Sequence, residues 1–126
     1  MFSVQLTGGE LFAYQGIDKI TKKLINNGTN LSLTTSGYIL NKTAKETLHL
    51  FSQENDVIQV SLDGMSDTHN KFRNKEKSFE KVIKFIKYAV SVGCNVHVAT
   101  ILIHQTIEEM EALCAYVKEL GIKEHR

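Results

Sequence analysis

The sequence predicts an α/β fold: an incomplete (β/α) barrel, about four βα units of a partial TIM-like barrel with a parallel sheet. Three observations carry this expectation. Short runs of apolar-polar alternation give way, again and again, to apolar residues at helical spacing. Glycine closes the helical stretches at Gly28, Gly93 and Gly121. Every alternating run has one polar side, which a sheet covered by helices on both faces would not show.

The first unit opens with Phe2, Val4 and Leu6 alternating with Ser3, Gln5 and Thr7, a strand pattern. Ile17, Ile20, Leu24 and Ile25 then share one helical face before Gly28. In the second unit Leu31 and Leu33 alternate with Ser32 and Thr34, and Asn41 has the chemistry of an N-cap for a helix carrying Ala44, Leu48 and Phe51. The third unit has a strand from Val57 to Leu62, a polar loop, and then Ser78 as the cap of a helix with Phe79, Val82, Ile83, Ile86 and Val90. The fourth has a strand from Val96 to Ile103. Thr106 and Glu109 form a capping-box pattern ahead of Ile107, Met110, Leu113, Val117 and Leu120.

Strand–helix–strand crossovers are right-handed, so all strand C-termini meet at one sheet edge, where ligands of such folds bind. That edge gathers Thr7 to Glu10, Thr34 to Gly37, Ser61 to Gly64 and Ile101 to His104. The polar sides (Gln5, Thr7, Ser32, Thr34, Gln59, Ser61, Asp63 and His97) are expected to line a cavity opposite the helices. An antiparallel sheet with one wet face is the alternative.

Composition excludes several classes. The 126 residues carry a net charge of +1, with 42% hydrophobic and 23% charged residues, so no bulk field points to nucleic acid or a membrane surface. No apolar run approaches the ~20 residues needed to cross a bilayer. No basic-then-apolar leader precedes the first strand, and a cytoplasmic location is expected. Cys94 and Cys114 are expected to be reduced and buried. Proline is absent, leaving glycine as the main helix stop.

Taken singly, the strand-end motifs leave two readings open. Gly8-Gly9-Glu10 lets a backbone approach a ligand and offers a carboxylate to an ammonium group, or it is a plain turn. Thr34-Thr35-Ser36-Gly37 could hold a ligand or cap a turn. Beyond Ser61-Leu62-Asp63-Gly64, Arg73 offers a planar fork suited to a carboxylate. His69 suits a capping role better than catalysis, and Lys75 and Lys77 read as solvated charges.

Taken together, "LTGGE", "LTTSG", "VSLDG" with "HNKFR", an apolar strand and "LGI" resemble the core of the radical S-adenosylmethionine enzymes over almost the whole chain. "SLDG" followed by "HNKFR" is most similar to the peptide- and protein-modifying branch, the sulfatase-maturase-like, SPASM-type enzymes. The molybdenum-cofactor branch shares "LTGGE" but is less similar after the third strand. The resemblance implies a (β/α)6 partial barrel, of which residues 1–126 would be roughly strands two to five. It implies S-adenosylmethionine as cofactor, with Gly8, Gly9 and Glu10 at its amino group, Ser61 at its polar end and Arg73 at its carboxylate. Ser36 and Gly37 match the family's Asn-Gly, and the strand from Ala99 to Leu102 matches the one that backs the adenine. Asp63 is expected as a strand-end acceptor rather than a base.

The family holds a 4Fe-4S cluster on a CxxxCxxC loop upstream of Gly-Gly-Glu, with thiolates as the iron ligands. Cys94 and Cys114 lie elsewhere and number too few. The expectation is therefore an internal fragment. Its parent would cleave S-adenosylmethionine reductively to a 5′-deoxyadenosyl radical and modify a peptide or protein substrate, while the chain alone would be inactive. Leu11 where the family has proline and Ser36 where it has asparagine are further departures. The other readings are a non-catalytic module that binds S-adenosylmethionine or a nucleotide, and an interaction scaffold. Two exposed parallel edges predict an edge-strand homodimer.

Overall fold

The computed structural model of the chain describes residues 2–8, 10–51 and 55–126. Strands β1 (Ser3–Leu6), β2 (Asn30–Thr35), β3 (Val57–Ser61), β4 (Asn95–Ala99) and β5 (Glu124–His125) form one sheet in that order. All neighbouring pairs are parallel, which excludes the antiparallel alternative. Helices α1 (Ile17–Asn26), α2 (Lys42–Leu50), α3 (Ser66–Arg73), α4 (Ser78–Ser91) and α5 (Ile107–Glu119) lie between the strands. Sequential parallel order with right-handed crossovers places the connecting helices on one side of the sheet.

Burial follows the alternation in the sequence. Leu31, Leu33, Ile58, Val60, Val96 and Val98 face the helices and are buried, with Leu48, Val82, Phe85, Ile86, Leu113 and Val117 against them. Ser32, Thr34, Gln59 and Ser61 alternate with them and are half-buried on the other face. The expected caps at Asn41 and Thr106 form: Asn41 Oδ1 accepts from Ala44 N at 2.8 Å, and Thr106 Oγ1 from Glu109 N at 3.1 Å.

The structure departs from the sequence reading in several places. The polar loop after β3 contains α3, whose sequence has no apolar period; buried His69 anchors it instead of a greasy face. Ser78 does not cap α4. Its hydroxyl turns inward to His69, and Asn70 Oδ1 takes over by accepting from Phe79 N at 2.7 Å. β4 ends at Ala99 rather than Ile103, because Asp63 Oδ1 captures the Ile101 N–H at 3.0 Å. A fifth, two-residue strand follows Gly121. In α1, Thr21 is buried where Ile20 was expected, and Ile20 is exposed. Cys114 is exposed, while Cys94 is buried.

Candidate functional site

The C-terminal edge of the sheet is built from the turns after β1, β2 and β3 and the loop after β4. Glu10 follows β1 in extended conformation, half-buried, and Ser36 follows β2. Ser36 Oγ donates to Glu10 Oε2 at 2.6 Å, so the two motifs read separately in the sequence converge on one point. Glu10 Oε1 is enclosed and has no hydrogen-bond partner among the described residues. A carboxylate oxygen left in this state is an acceptor waiting for a donor.

The turn that presents Ser36 is fixed locally. Gly37 has φ 71°, and its N–H donates to Thr35 Oγ1 at 3.1 Å. A Cβ there would stand 3.0 Å from Val60 Cγ1, so both backbone conformation and space select glycine. Gly8 differs. It is exposed, and a Cβ would meet only Leu11 Cδ2 at 4.0 Å. Nothing described in the fold requires glycine at position 8. Gly9, named with it in the sequence reading, lies outside the described residues.

Ser61 ends β3 on the polar face, paired in register with Ala99. On the same face His97 is buried, its Nδ1 3.7 Å from Glu124 Oε2, and burial lowers its pKa. Arg126 reaches from beyond β5 to Gln59 Oε1 at 3.2 Å.

Arg73 stands at the end of α3. Its Nη2 and Nε lie 2.7 and 3.0 Å from Asp63 Oδ2, so one edge of the guanidinium is engaged by this chain's own carboxylate. Asp63 is fully buried and also accepts from Ile101 N through Oδ1. Its backbone N–H donates to His69 Nδ1 at 3.0 Å. That bond fixes the His69 tautomer: Nδ1 is the acceptor, so Nε2 carries the hydrogen and donates to Ser78 Oγ at 3.2 Å. Burial pushes the His69 pKa down to about 4, against the field of Asp63 and with that of Arg73.

The loop after β4 folds around Gln105, a residue that no motif or periodicity marks in the sequence. Its amide nitrogen donates to the carbonyls of Asp63 and Ile101, and its oxygen accepts from Ile103 N. Leu102 therefore sits in a loop, not in a strand, and is 75% exposed. It lines two neighbouring cavities of about 530 and 300 Å³, shared with Met110 and Cys114.

The family model of the radical SAM superfamily matches residues 3–117. The chain belongs to the radical SAM superfamily. Among similar proteins of this superfamily, GTP 3′,8-cyclase of Staphylococcus aureus is 31% identical over 102 residues, covering 79% of this chain and 29% of the relative. GTP 3′,8-cyclase of Campylobacter fetus is 27% identical over 121 residues, covering 94% of this chain and 37% of that protein. The crystal structure of Streptococcus suis SuiB superposes with a TM-score of 0.82 at 21% identity, over 98% of this chain and 28% of SuiB. SuiB bound to S-adenosylmethionine gives 0.83. This radical SAM chain thus has the partial barrel of SuiB and spans about a third of the length of the curated relatives named here.

Radical SAM proteins imply a 4Fe-4S cluster, and this chain's cysteines do not fit one. Cys94 is buried where α4 meets β4. Its thiol donates to the Leu48 carbonyl, and burial raises its pKa to about 11. Cys114 is exposed on α5. Among the described residues no group of three His, Cys, Asp or Glu could hold a metal ion, and no helix is long and apolar enough to cross a membrane.

Proposed function

We propose that these residues are the S-adenosylmethionine-binding part of a radical SAM enzyme that modifies a peptide or protein. The observation that carries the reading is the meeting of Glu10 and Ser36, with Glu10 Oε1 left unpartnered. In this reading Glu10 accepts from the ligand's ammonium group, a charge-assisted bond. Gly8, with Gly9, opens the backbone to that end of the ligand. Ser36 orients Glu10 through its hydroxyl, and Gly37 holds Ser36 in place. Ser61 meets the polar end. Arg73, held along one edge by Asp63, keeps Nη1 for the carboxylate. Leu102 offers an apolar surface to the adenine. S-adenosylmethionine would supply hydrogen-abstraction chemistry only on receiving an electron from an iron–sulfur cluster of the parent enzyme; this chain's residues bind it and orient it.

The peptide branch is supported by "SLDG" with "HNKFR" and by the fold shared with SuiB, which has been crystallised with the precursor peptide SuiA. A non-catalytic module that binds S-adenosylmethionine or a nucleotide is the second reading, and the open acceptor on Glu10 serves it equally. A cytoplasmic location and pairing of two copies through exposed strand edges belong to the same proposal. Light scattering over a wide concentration range is expected to show dimers, and a constant monomer would end the pairing claim.

Calorimetric titration with S-adenosylmethionine tests the main reading. Saturable binding is expected, weakened about tenfold or more in Glu10→Gln and Arg73→Ala, the scale of a lost hydrogen bond to a charged group. Absence of saturable heat, or equal affinity in both variants, overturns it. Guanosine triphosphate titrated in parallel separates the nucleotide reading.

A further inference from the structure

We infer that Asp63 is a positioning residue that couples the Arg73 guanidinium to the loop after β4, so that one buried side chain sets both ends of a ligand lying across this edge. The ligand half of this inference rests on the S-adenosylmethionine reading above; the coupling itself does not.

Every polar group of Asp63 is occupied. Its N–H is held by His69 and its carbonyl by Gln105. With the backbone pinned from both sides, the remaining freedom is rotation of the carboxylate. That carboxylate is shared: Oδ2 takes Arg73, and Oδ1 takes the Ile101 N–H. The two oxygens turn about a single bond. Any rotation that lets Oδ2 follow a moving Arg73 carries Oδ1 away from Ile101.

Ile101 in turn begins the stretch that Gln105 folds, with Leu102 at its tip. Arg73 and the Leu102 loop do not need to touch each other for one to sense the other. A plain structural ion pair would stabilise α3 against β3 and leave the loop after β4 indifferent to Arg73. The shared carboxylate makes a different demand, because removing the cation leaves a buried, uncompensated charge that must reorganise.

Hydrogen exchange at the Ile101 amide, read by NMR, tests the coupling without any ligand. In Arg73→Ala the Ile101 amide is expected to exchange about tenfold faster, while Val60 in the core of β3 keeps its rate relative to the other central strands. Arg73→Lys, which retains the charge but not the fork, should fall between. If Arg73→Ala does not fold, the Lys variant and Asp63→Asn carry the comparison. An Ile101 rate that rises only in step with Val60, or does not rise, overturns the proposal. Saturating S-adenosylmethionine on the unaltered chain is expected to slow Ile101 exchange further. Saturable binding that leaves the Ile101 rate unchanged overturns the ligand half of the inference. Absence of binding with an intact Arg73–Ile101 link rejects the ligand reading and leaves the coupling standing.

Discussion

Ser36 Oγ lies 2.6 Å from Glu10 Oε2, joining turns that follow two neighbouring strands. A hydroxyl donating to one carboxylate oxygen leaves the other as the better-placed acceptor for an incoming ammonium group. Ser36→Ala should therefore leave the fold intact and weaken S-adenosylmethionine binding by about threefold to tenfold, the worth of one side-chain hydrogen bond. Ser36→Asn, which keeps a donor at this position, should restore most of the affinity. Calorimetry on the three proteins checks the order.

His69 makes the chain acid-sensitive. Its pKa is about 4 in the folded chain, against an ordinary 6.5. The unfolded chain therefore takes up the proton first. The stability contributed by the neutral ring is complete above about pH 6.5 and is lost progressively as pH falls toward 4, on the order of 3 kcal/mol in all. His97 and His125 are shifted in the same direction by burial, so a histidine-specific comparison is needed. Urea midpoints measured at neutral and acid pH should fall steeply for the native chain and less for His69→Asn, whose Oδ1 stands where Nδ1 does and keeps an acceptor for the Asp63 N–H but cannot titrate.

Two glycines of the site should behave oppositely. Gly37→Ala forces a side chain into left-handed backbone and against Val60, and should cost about 2 kcal/mol of stability. Gly8→Ala meets open space and should change stability by less than about 0.5 kcal/mol. If position 8 is glycine for a ligand's sake, Gly8→Ala should still weaken S-adenosylmethionine binding. Thermal denaturation and calorimetry on the same two variants separate these effects.

The two thiols should differ as well. Cys114 is exposed, whereas Cys94 is buried with its thiol pushed to about 11 and hydrogen-bonded to Leu48. Titration with a thiol reagent at neutral pH should modify Cys114 rapidly and Cys94 only on unfolding. By the same placement, reconstitution of the chain with iron and sulfide should yield no four-iron absorbance and no 5′-deoxyadenosine.

The first four strands and their parallel order were legible because alternation in β2 and β3 is strict, and because every helix except α3 buries residues at helical spacing, as α4 does with Val82, Ile83, Phe85, Ile86 and Ala89. What escaped the sequence was held by polar contacts at long range. The eight residues of α3 show no apolar stripe, since His69 does the anchoring. Ile101 to Ile103 look like a continued strand, and only the Asp63 carboxylate, distant in sequence, shows why the ladder stops. Glu10, Ser36, Ser61 and Arg73 were legible as residues of one edge. That Arg73 would already be gripped by Asp63 was not, because an arginine's choice between an internal and an external carboxylate depends on a loop path that spacing does not encode.

The strand order β1-β2-β3-β4-β5 bears on assembly during synthesis. Each strand pairs with the one before it, across one helix or, between β3 and β4, across α3 and α4, so no pairing waits for a distant segment. Loop-closure entropy grows by only about 0.6 kcal/mol per doubling of length, so the four closures are nearly equal in difficulty. The sheet can therefore be laid down strand by strand as the chain leaves the ribosome, each new strand templated by the one before it.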